Sequence, residues 1–405
     1  MQSLFTKTIN ALTPSSSSRS LASKTGTYKA KKPEDLFPYT TGAADGEECL
    51  YDCASCTEQL PRKWEIDETE EIYGHVKGWE THVVIATGKK DWVRDVAEEK
   101  GSLMEAVERE GMGLANGRMM VSASDWPTGH GHGEGYEDGG RTRVLVLPQW
   151  VIAEGVTQRD VKWLLNDVVG QGVSNSTRMQ GAQVQDRRAS MAALQKGDEM
   201  HVDGANGDTE MRDHDDDDTP DIAGLSMSDS KIQSANTLAP TASTQIPREV
   251  KINRCRHRAI ILMCSHGTRD WRCGKSAPIL KREFEQHLRP LGLYRDYDDD
   301  RPGGVGIYFI NHVGGHKYSA NVMIYRREGV TPKVRVVEYA HVKGVIGDVK
   351  EEDLGEEAIQ GIWLARVRPE DCENIVRYTI LMGKVVKPQR QLRGGFDRER
   401  GFLSW

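Results

Sequence analysis

The chain has 405 residues, of which 37% are hydrophobic, and its formal net charge at pH 7 is −7. This length is sufficient for two or three domains, and the composition suits a protein with a substantial core. No apolar run approaches the roughly 20 residues that a membrane-spanning helix requires, and no basic stripe of the kind needed for nucleic-acid binding is visible. We therefore predict neither a membrane span nor a nucleic-acid partner.

The first 32 residues are rich in serine and contain six basic side chains and no acid. Leu4, Phe5, Ile9 and Leu12 can share one face of a helix in this segment. These features are typical of a mitochondrial transit peptide, although a disordered tail would share the serine-rich composition. We predict that residues 1–32 are a disordered, transit-peptide-like segment and that the protein is mitochondrial.

The seven cysteines are an odd number and are scattered along the chain. This usage argues against the disulfide framework of a secreted domain and fits a compartment in which thiols are available as metal ligands. Cys49, Cys53 and Cys56 lie close together in sequence, but no second group of ligands accompanies them. Packed or redox-active thiols are therefore the simpler interpretation of these three residues.

Residues 45–170 are predicted to form an N-terminal α/β unit. The β-type runs that predict its strands are 82–87, 117–123 and 142–147. Helical spacing predicts a helix over 102–110, and Thr157 can cap a helix that runs to Val169. The glycine- and histidine-containing run 129–135 is predicted to be an exposed loop.

Residues 171–247 are poor in aromatic side chains, and the segment 203–221 within them contains nine acids and one base. Such a stretch cannot bury enough apolar surface to offset its chain entropy. We predict a disordered acidic linker between two folded units.

Residues 248–405 are predicted to form a second α/β unit. Its predicted strands are 259–263, 305–311, 320–325 and 333–339. A helix is predicted over 275–288, with Pro278 inside its first turn, and another over 369–382.

The two units share a sequence pattern. A β-type run that begins at His82 leads through a polar loop to Asp91-Trp92, and a run that begins at Ala259 leads in the same way to Asp270-Trp271. This repeat suggests a duplicated fold, in which the first copy has Thr87 near the position that Cys264 occupies in the second.

Two short loops in the second unit carry the residues on which the functional interpretation depends. Cys264 and Cys273 follow the first buried strand, and His312 and His316 follow the next one. Two thiols and two imidazoles are suitable ligands for a soft metal. Their spacing alone leaves open a structural zinc ion and an iron–sulfur cluster.

The Cys264–Cys273 and His312–His316 loops, together with the segment 82–92, resemble the sucrase/ferredoxin-like family, in particular its fungal members. The resemblance implies a thioredoxin-like ferredoxin fold for residues 248–405 and a [2Fe–2S] cluster on Cys264, Cys273, His312 and His316. The N-terminal unit is then a second thioredoxin-like unit that lacks the metal site. Ordinary members of this ferredoxin class have a second cysteine pair where this chain has histidines, and imidazole ligands raise the reduction potential of a cluster.

Three neighbours of these ligands are candidates for supporting roles. His266, between the thiols, is expected to donate a hydrogen bond or relay a proton. Arg269 is expected to pair with Asp270 and hold the loop, and Lys275 is expected to offset the charge of the cluster.

We predict an electron-transfer or redox protein rather than an enzyme, because no nucleophile elbow, phosphate loop or dinucleotide fingerprint is present. One alternative is a thiol–disulfide oxidoreductase that uses Cys264 and Cys273, or Cys53 and Cys56. Another is a zinc-stabilised interaction module. The sequence does not identify the redox partner protein.

The last three residues, Leu403-Ser404-Trp405, resemble a tail signal by which client proteins bind the cytosolic iron–sulfur assembly machinery. This feature predicts that machinery as a partner and a cytosolic location as the alternative to a mitochondrial one. A frayed end would explain the same residues without any partner.

Overall fold

The structure is a computed structural model that describes residues 26–111, 113–129, 140–179, 247, 249–329 and 354–405. Several predictions fall outside these residues: most of the transit-peptide-like segment, most of the acidic linker, most of the run 129–135 and the strand at 333–339.

The described residues form a mixed α/β structure with a large sheet and few helices, which confirms the predicted class. The strands are β1 (Tyr28–Lys29), β2 (Thr81–Ala86), β3 (Met119–Ser124), β4 (Thr142–Leu147), β5 (Val151–Val156), β6 (Lys251–Arg254), β7 (Ala259–Cys264), β8 (Tyr294–Arg295), β9 (Val305–Ile310), β10 (Val322–Gly329), β11 (Leu354–Leu364), β12 (Leu392–Asp397) and β13 (Phe402–Leu403).

The helices are mostly short. They are α1 (Pro33–Leu36), α2 (Gly42–Asp45), α3 (Leu103–Glu110), α4 (Val161–Trp163), α5 (Trp271–Leu288), α6 (Cys372–Asn374) and α7 (Pro388–Gln391). Helices α4 and α6 each follow a 3₁₀ turn, Gln158–Asp160 or Pro369–Asp371, and continue into a π-helical segment, Leu164–Val169 or Ile375–Ile380. The Thr157 side chain and Asp160 form the predicted capping box at the start of the first of these.

Each half of the sheet repeats one strand order. In the N-terminal half the order is β3-β2-β4-β5, with β2 and β3 parallel and the other pairs antiparallel. In the C-terminal half the order is β9-β7-β10-β11, with the same directions. In each half a helix lies between the two parallel strands along the chain, α3 between β2 and β3 and α5 between β7 and β9. The duplication predicted from sequence therefore has a counterpart in the topology.

The two halves meet at the edges of β3 and β9, where Ser124 pairs with Ile310 in antiparallel register. Asn311 extends this junction, because its backbone N–H donates to the carbonyl of Ala123 and its side-chain oxygen accepts from the Ala123 N–H. The sheet is consequently continuous through the point at which the His312–His316 loop leaves it.

Alternation along the strands distributes the core between the two faces of the sheet. Ile261 and Met263 of β7 pack with α5, whereas Ile260 and Leu262 point into a cluster to which both halves contribute. That shared cluster includes Trp79 and other buried aromatic side chains. Described residues before and after the acidic segment accordingly pack as one compact unit.

The packed unit extends past some boundaries drawn from sequence. Tyr28–Lys29, assigned to the N-terminal segment, forms strand β1 against β13. Asn175, assigned to the linker, is buried and donates from its side chain to the carbonyl of Trp79. Strand β6, assigned to the second unit, pairs with β5 of the first. No helix in the described part of the chain combines the length and apolarity required to cross a membrane.

Candidate metal centre

The two thiols come from adjoining ends of a strand and a helix. Cys264 is the last residue of β7, and Cys273 lies in the first turn of α5. The sequence predicted that this helix begins at Lys275, but it begins four residues earlier. The side chain of Asp270 accepts a hydrogen bond from the Arg272 backbone N–H and caps the helix there.

The earlier start corrects two further expectations. Pro278 lies in the interior of α5, not in its first turn. Asp270 pairs with Arg272 at 2.9 Å, and Arg269 instead donates to the backbone carbonyl of Arg94. The arginine that holds the Cys264–Cys273 loop is thus Arg272. Asp270 is the N-cap of α5 and Arg272 is the second residue of the helix, so their side chains lie close together.

The histidine loop leaves β9 after Ile310. Gly314 and Gly315 have φ values of 89° and 71°, in the left-handed region that favours glycine. Arg393, which is buried, donates to the carbonyl of Gly314 and to the side-chain oxygen of Asn321. A Cβ on Gly315 would lie 2.7 Å from the Arg393 guanidinium, so this arginine packs directly against the turn.

Three of the four predicted ligands come together. The Cys264 and Cys273 Sγ atoms and a ring nitrogen of His312 all lie within 4.8 Å of one another. Cys264 Sγ is 3.9 Å from His312 Nδ1. His316 lies outside this group, with its ring centroid 5.3 Å from that of His312. Both thiols are at most 2% exposed, whereas the His316 side chain faces solvent.

The donor types suit a soft metal. Two thiols shielded from water and two imidazoles are ligands of both zinc sites and iron–sulfur clusters. A tetrahedral zinc ion, with ligands at about 2.3 Å (sulfur) and about 2.0 Å (nitrogen), keeps ligand atoms roughly 3.5 Å apart. The ligand atoms of the group of three lie within 4.8 Å of one another, somewhat farther apart than this, so these residues are in a position to bind metal.

The thiols differ in their electrostatic environment. The Cys273 thiol donates a hydrogen bond that lowers the pKa of Cys264, and backbone N–H groups of His266 and Val313 add to this effect against the cost of burial. Its role as donor, together with burial, raises the pKa of Cys273 well above that of an ordinary thiol. Cys264 is therefore the first of the pair to become a thiolate, the form that binds metal.

His266 connects the centre to the N-terminal half. Its Nε2 atom lies 3.1 Å from the carbonyl of Trp92, and its Nδ1 atom accepts from the His312 backbone N–H at 3.2 Å. The carbonyl can only accept and the amide can only donate, so the proton is on Nε2. Burial lowers the pKa of His266, in keeping with this neutral form. With both nitrogens engaged, His266 holds the His312 backbone in place.

The loop after β2 makes further contacts with the Cys264–Cys273 segment. Ser265 donates from its hydroxyl to the Lys90 carbonyl at 2.8 Å. The Asp91 carboxylate accepts from both the backbone N–H and the hydroxyl of Thr268. The half without ligands therefore supplies part of the wall of the centre. Sequence reasoning missed this role, although the Asp91-Trp92 signal that could have indicated it was present in the repeat.

The remaining thiols lie away from the group of three. Cys49, Cys255 and Cys372 are buried, and Cys53 and Cys56 are partly exposed. Burial raises the pKa of both Cys53 and Cys56, and nearby carboxylates reinforce the effect. Lys275, the other predicted supporting residue, lies in the second turn of α5 and is exposed.

The chain was compared with known proteins. A family model described as Sucrase/ferredoxin-like matches residues 72–394, most of the chain. Among the curated relatives, Actin patches distal protein 1 of Saccharomyces cerevisiae is 42% identical over 126 residues, which are 31% of this chain and 31% of that protein. Altered inheritance of mitochondria protein 32 of Meyerozyma guilliermondii is 29% identical over 145 residues, 36% of this chain and 35% of the relative.

The protein of the same name from Debaryomyces hansenii is 34% identical over 128 residues, 32% of this chain and 33% of the relative. The chain thus spans about a third of the length of the curated relatives that it matches. No solved structure matches the chain significantly.

Proposed function

The chain belongs to the sucrase/ferredoxin-like family, and from that premise we propose that it is a redox protein that holds one [2Fe–2S] cluster on Cys264, Cys273, His312 and His316. The observation that carries the proposal is the group of two buried thiols and one partly buried imidazole, with a second imidazole on the same loop. When bound, such a cluster supplies one-electron exchange.

The four proposed ligands differ in their exposure to solvent. Cys264 and Cys273 would bind one iron, and their burial excludes water from that side. His312 and His316 would bind the other, and the exposed His316 marks the face at which an electron-transfer partner would approach. We propose an electron carrier with no catalytic residue of its own.

We also propose that the two halves are thioredoxin-like units. The support is the strand order that both halves repeat, with the helix α3 or α5 between the parallel strands. In this proposal the N-terminal copy lost or never had ligands at its Thr87 position, and its loop after β2 instead supports the centre of the other copy.

The decisive experiment is a UV–visible spectrum and a metal analysis of full-length protein purified without oxygen. We expect absorption between about 400 and 600 nm and two irons per chain. The variants Cys264→Ser and Cys273→Ser should lose this absorption, whereas Cys56→Ser, a partly exposed thiol outside the centre, should keep it. Colourless protein with one zinc per chain would end the cluster proposal.

A single zinc ion is the second candidate, because the three donor atoms already lie within 4.8 Å of one another. A cluster with two irons occupies more space than one ion, so its binding requires the histidine loop to lie farther from the thiols. Such a shift would require the hydrogen bonds from Arg393 to the Gly314 carbonyl and from the His312 N–H to His266 to rearrange. Metal analysis separates the two candidates directly.

The thiol–disulfide alternative has less support. Cys264 and Cys273 are at most 2% exposed, which keeps a substrate disulfide from reaching them. Cys53 and Cys56 have raised pKa values, which lowers their thiolate fraction at neutral pH. Insulin reduction by metal-free protein tests this alternative, and we expect none above background.

For location we propose the mitochondrion, supported by the basic, acid-free first 32 residues and by the name of two relatives, Altered inheritance of mitochondria protein 32. A fluorescent fusion of the full chain should co-localise with mitochondria, and removal of residues 1–25 should abolish this. A fusion that remains mitochondrial after the removal would contradict the proposal.

The tail signal at Leu403-Ser404-Trp405 faces a structural obstacle. Ser404 is fully buried and its hydroxyl accepts from the Gly395 N–H, while Trp405 stacks on Trp79 at 4.5 Å. The end of the chain is therefore not frayed. Recognition of the tail by the iron–sulfur assembly machinery would require these residues to leave the fold, for example before folding is complete.

A further inference from the structure

A cavity of about 390 Å³ lies beside the metal centre, between the loop after β2 and the start of α5. The residues that line it are Lys90, Asp91, Ser265, Gly267, Trp271, Gly274, Lys275, Pro278 and Phe309. Its volume is in the range of small-molecule binding sites, roughly 300–1,000 Å³.

The cavity is adjacent to the thiols but separate from them. Ser265 directly follows Cys264, and Gly274 directly follows Cys273, yet neither thiol lines the cavity. A Cβ on Gly274 would lie 2.8 Å from the Gly267 Cα, so the two backbone segments meet closely there. A bound molecule would thus contact the residue that directly follows each thiol in the sequence.

Aromatic and apolar side chains form one part of the wall. The Trp271 indole is 52% exposed, although it makes an edge-on contact with Trp64 at 5.6 Å. Phe309 also belongs to the lining, but it is buried in the core and leaves almost no free surface for a ligand. A half-exposed indole on the wall of a cavity offers a surface on which a planar molecule can stack.

The charge at the rim is positive. Lys90 and Lys275 are exposed, and neither ammonium makes a hydrogen bond or ion pair with any other residue in the part of the chain that the structure describes. The one carboxylate of the lining, Asp91, is engaged by the backbone N–H and hydroxyl of Thr268. An anion at the rim would therefore meet two lysine ammonium groups against the single negative charge of Asp91.

We propose that this cavity binds a small planar aromatic molecule that carries a negatively charged group. The aromatic part lies against Trp271, and the anionic group lies between Lys90 and Lys275. The inference goes beyond the metal centre and does not depend on which metal the centre holds, so binding can succeed or fail independently of the cluster proposal.

The test uses flavin mononucleotide as the probe, with full-length protein as purified and fluorescence anisotropy of the flavin as the signal. We expect saturable binding that weakens as salt increases. Riboflavin has the same ring system without the phosphate. It should bind about tenfold more weakly, since each exposed ion pair between the phosphate and a lysine strengthens binding by about threefold. No saturable binding of flavin mononucleotide up to about 1 mM would overturn the proposal.

Variants assign the binding to this cavity. Trp271→Ala should weaken both ligands about tenfold, and Trp271→Phe should recover most of the loss. Lys90→Gln and Lys275→Gln should each weaken flavin mononucleotide about threefold and leave riboflavin unchanged. Lys162→Gln, an exposed lysine on α4 away from the cavity, should have no effect.

Two results would refute the assignment. One is wild-type affinity in both Trp271→Ala and the two lysine variants, which would place the flavin elsewhere. The other is complete displacement of the flavin by an equal concentration of inorganic phosphate, which would indicate an anion site without an aromatic component. If Trp271→Ala does not fold, the lysine variants at the rim still decide the outcome.

Discussion

Replacing His266 tests whether the N-terminal half holds the metal centre in shape. The imidazole is 1% exposed and makes two hydrogen bonds, from Nε2 to the Trp92 carbonyl and from the His312 backbone N–H to Nδ1. Asparagine places an oxygen near the Nδ1 position and preserves only the bond to His312. Glutamine reaches the Nε2 position and preserves only the bond to Trp92.

The expected cost follows from the groups that lose their partners. A buried backbone donor or acceptor without a partner costs about 1–3 kcal/mol. His266→Ala leaves two such groups, so we expect a loss of roughly 2–6 kcal/mol in the free energy of unfolding. His266→Asn and His266→Gln should each cost about half as much, because each variant leaves one group unpaired.

Metal retention distinguishes the two bonds. We expect His266→Gln and His266→Ala to release metal to a chelator faster than the wild type, since both free the His312 backbone, whereas His266→Asn should release it at a similar rate. Urea unfolding gives the stabilities, and absorbance of a chromogenic chelator gives the release rates. Equal release from the Asn and Gln variants would refute the positioning role of the bond to His312.

Three further predictions concern the ligands, acid stability and the end of the chain. His312→Ala should lower metal affinity more than His316→Ala, because only His312 lies close to both thiols; competition with a chelator measures this. Burial lowers the pKa of His82 to about 3, so the unfolded state takes up a proton that the folded state excludes. The contribution of His82 to stability should therefore fall by about 1.4 kcal/mol per pH unit as the pH drops from 6.5 towards 3, and His82→Gln should show a shallower slope in urea titrations. Ser404→Ala should cost about 1–3 kcal/mol by leaving the Gly395 N–H without its buried acceptor, as measured by urea unfolding.

Each of these predictions has a matched control. His75→Ala replaces a histidine outside the centre and should leave metal affinity unchanged. The acid slope is compared between wild type and His82→Gln under one set of conditions, and identical slopes would contradict the assignment to His82. Ser55→Ala, in the exposed segment near Cys53, should not change stability, and a Ser404→Ala variant as stable as the wild type would show that the hydrogen bond from the Gly395 N–H does not stabilise the fold.

Local patterns in the sequence were sufficient for the two strands that lead into the ligand-bearing loops. The apolar run ending at Cys264 is strand β7, and the run ending at Ile310 is β9. The start of α5 was placed too late because Trp271 and Arg272 look like loop residues, whereas Asp270 caps the helix in front of them. Capping depends on a few atoms at one position. The hydrophobic periodicity of a helix is a property of many residues and therefore does not reveal the cap.

The sequence by itself determined the mixed α/β class, the ligand-bearing strands and the four candidate ligands, because apolar alternation and paired thiols and imidazoles are local features. Tertiary structure decided that two buried thiols and the partly buried His312 meet while His316 stays at the surface. It also decided that His266 bonds to Trp92, 174 positions away, and that the last residues pack into the sheet. Contacts between residues so distant in sequence form only when strands and loops assemble. They produce no repeating pattern in the sequence from which they could be predicted.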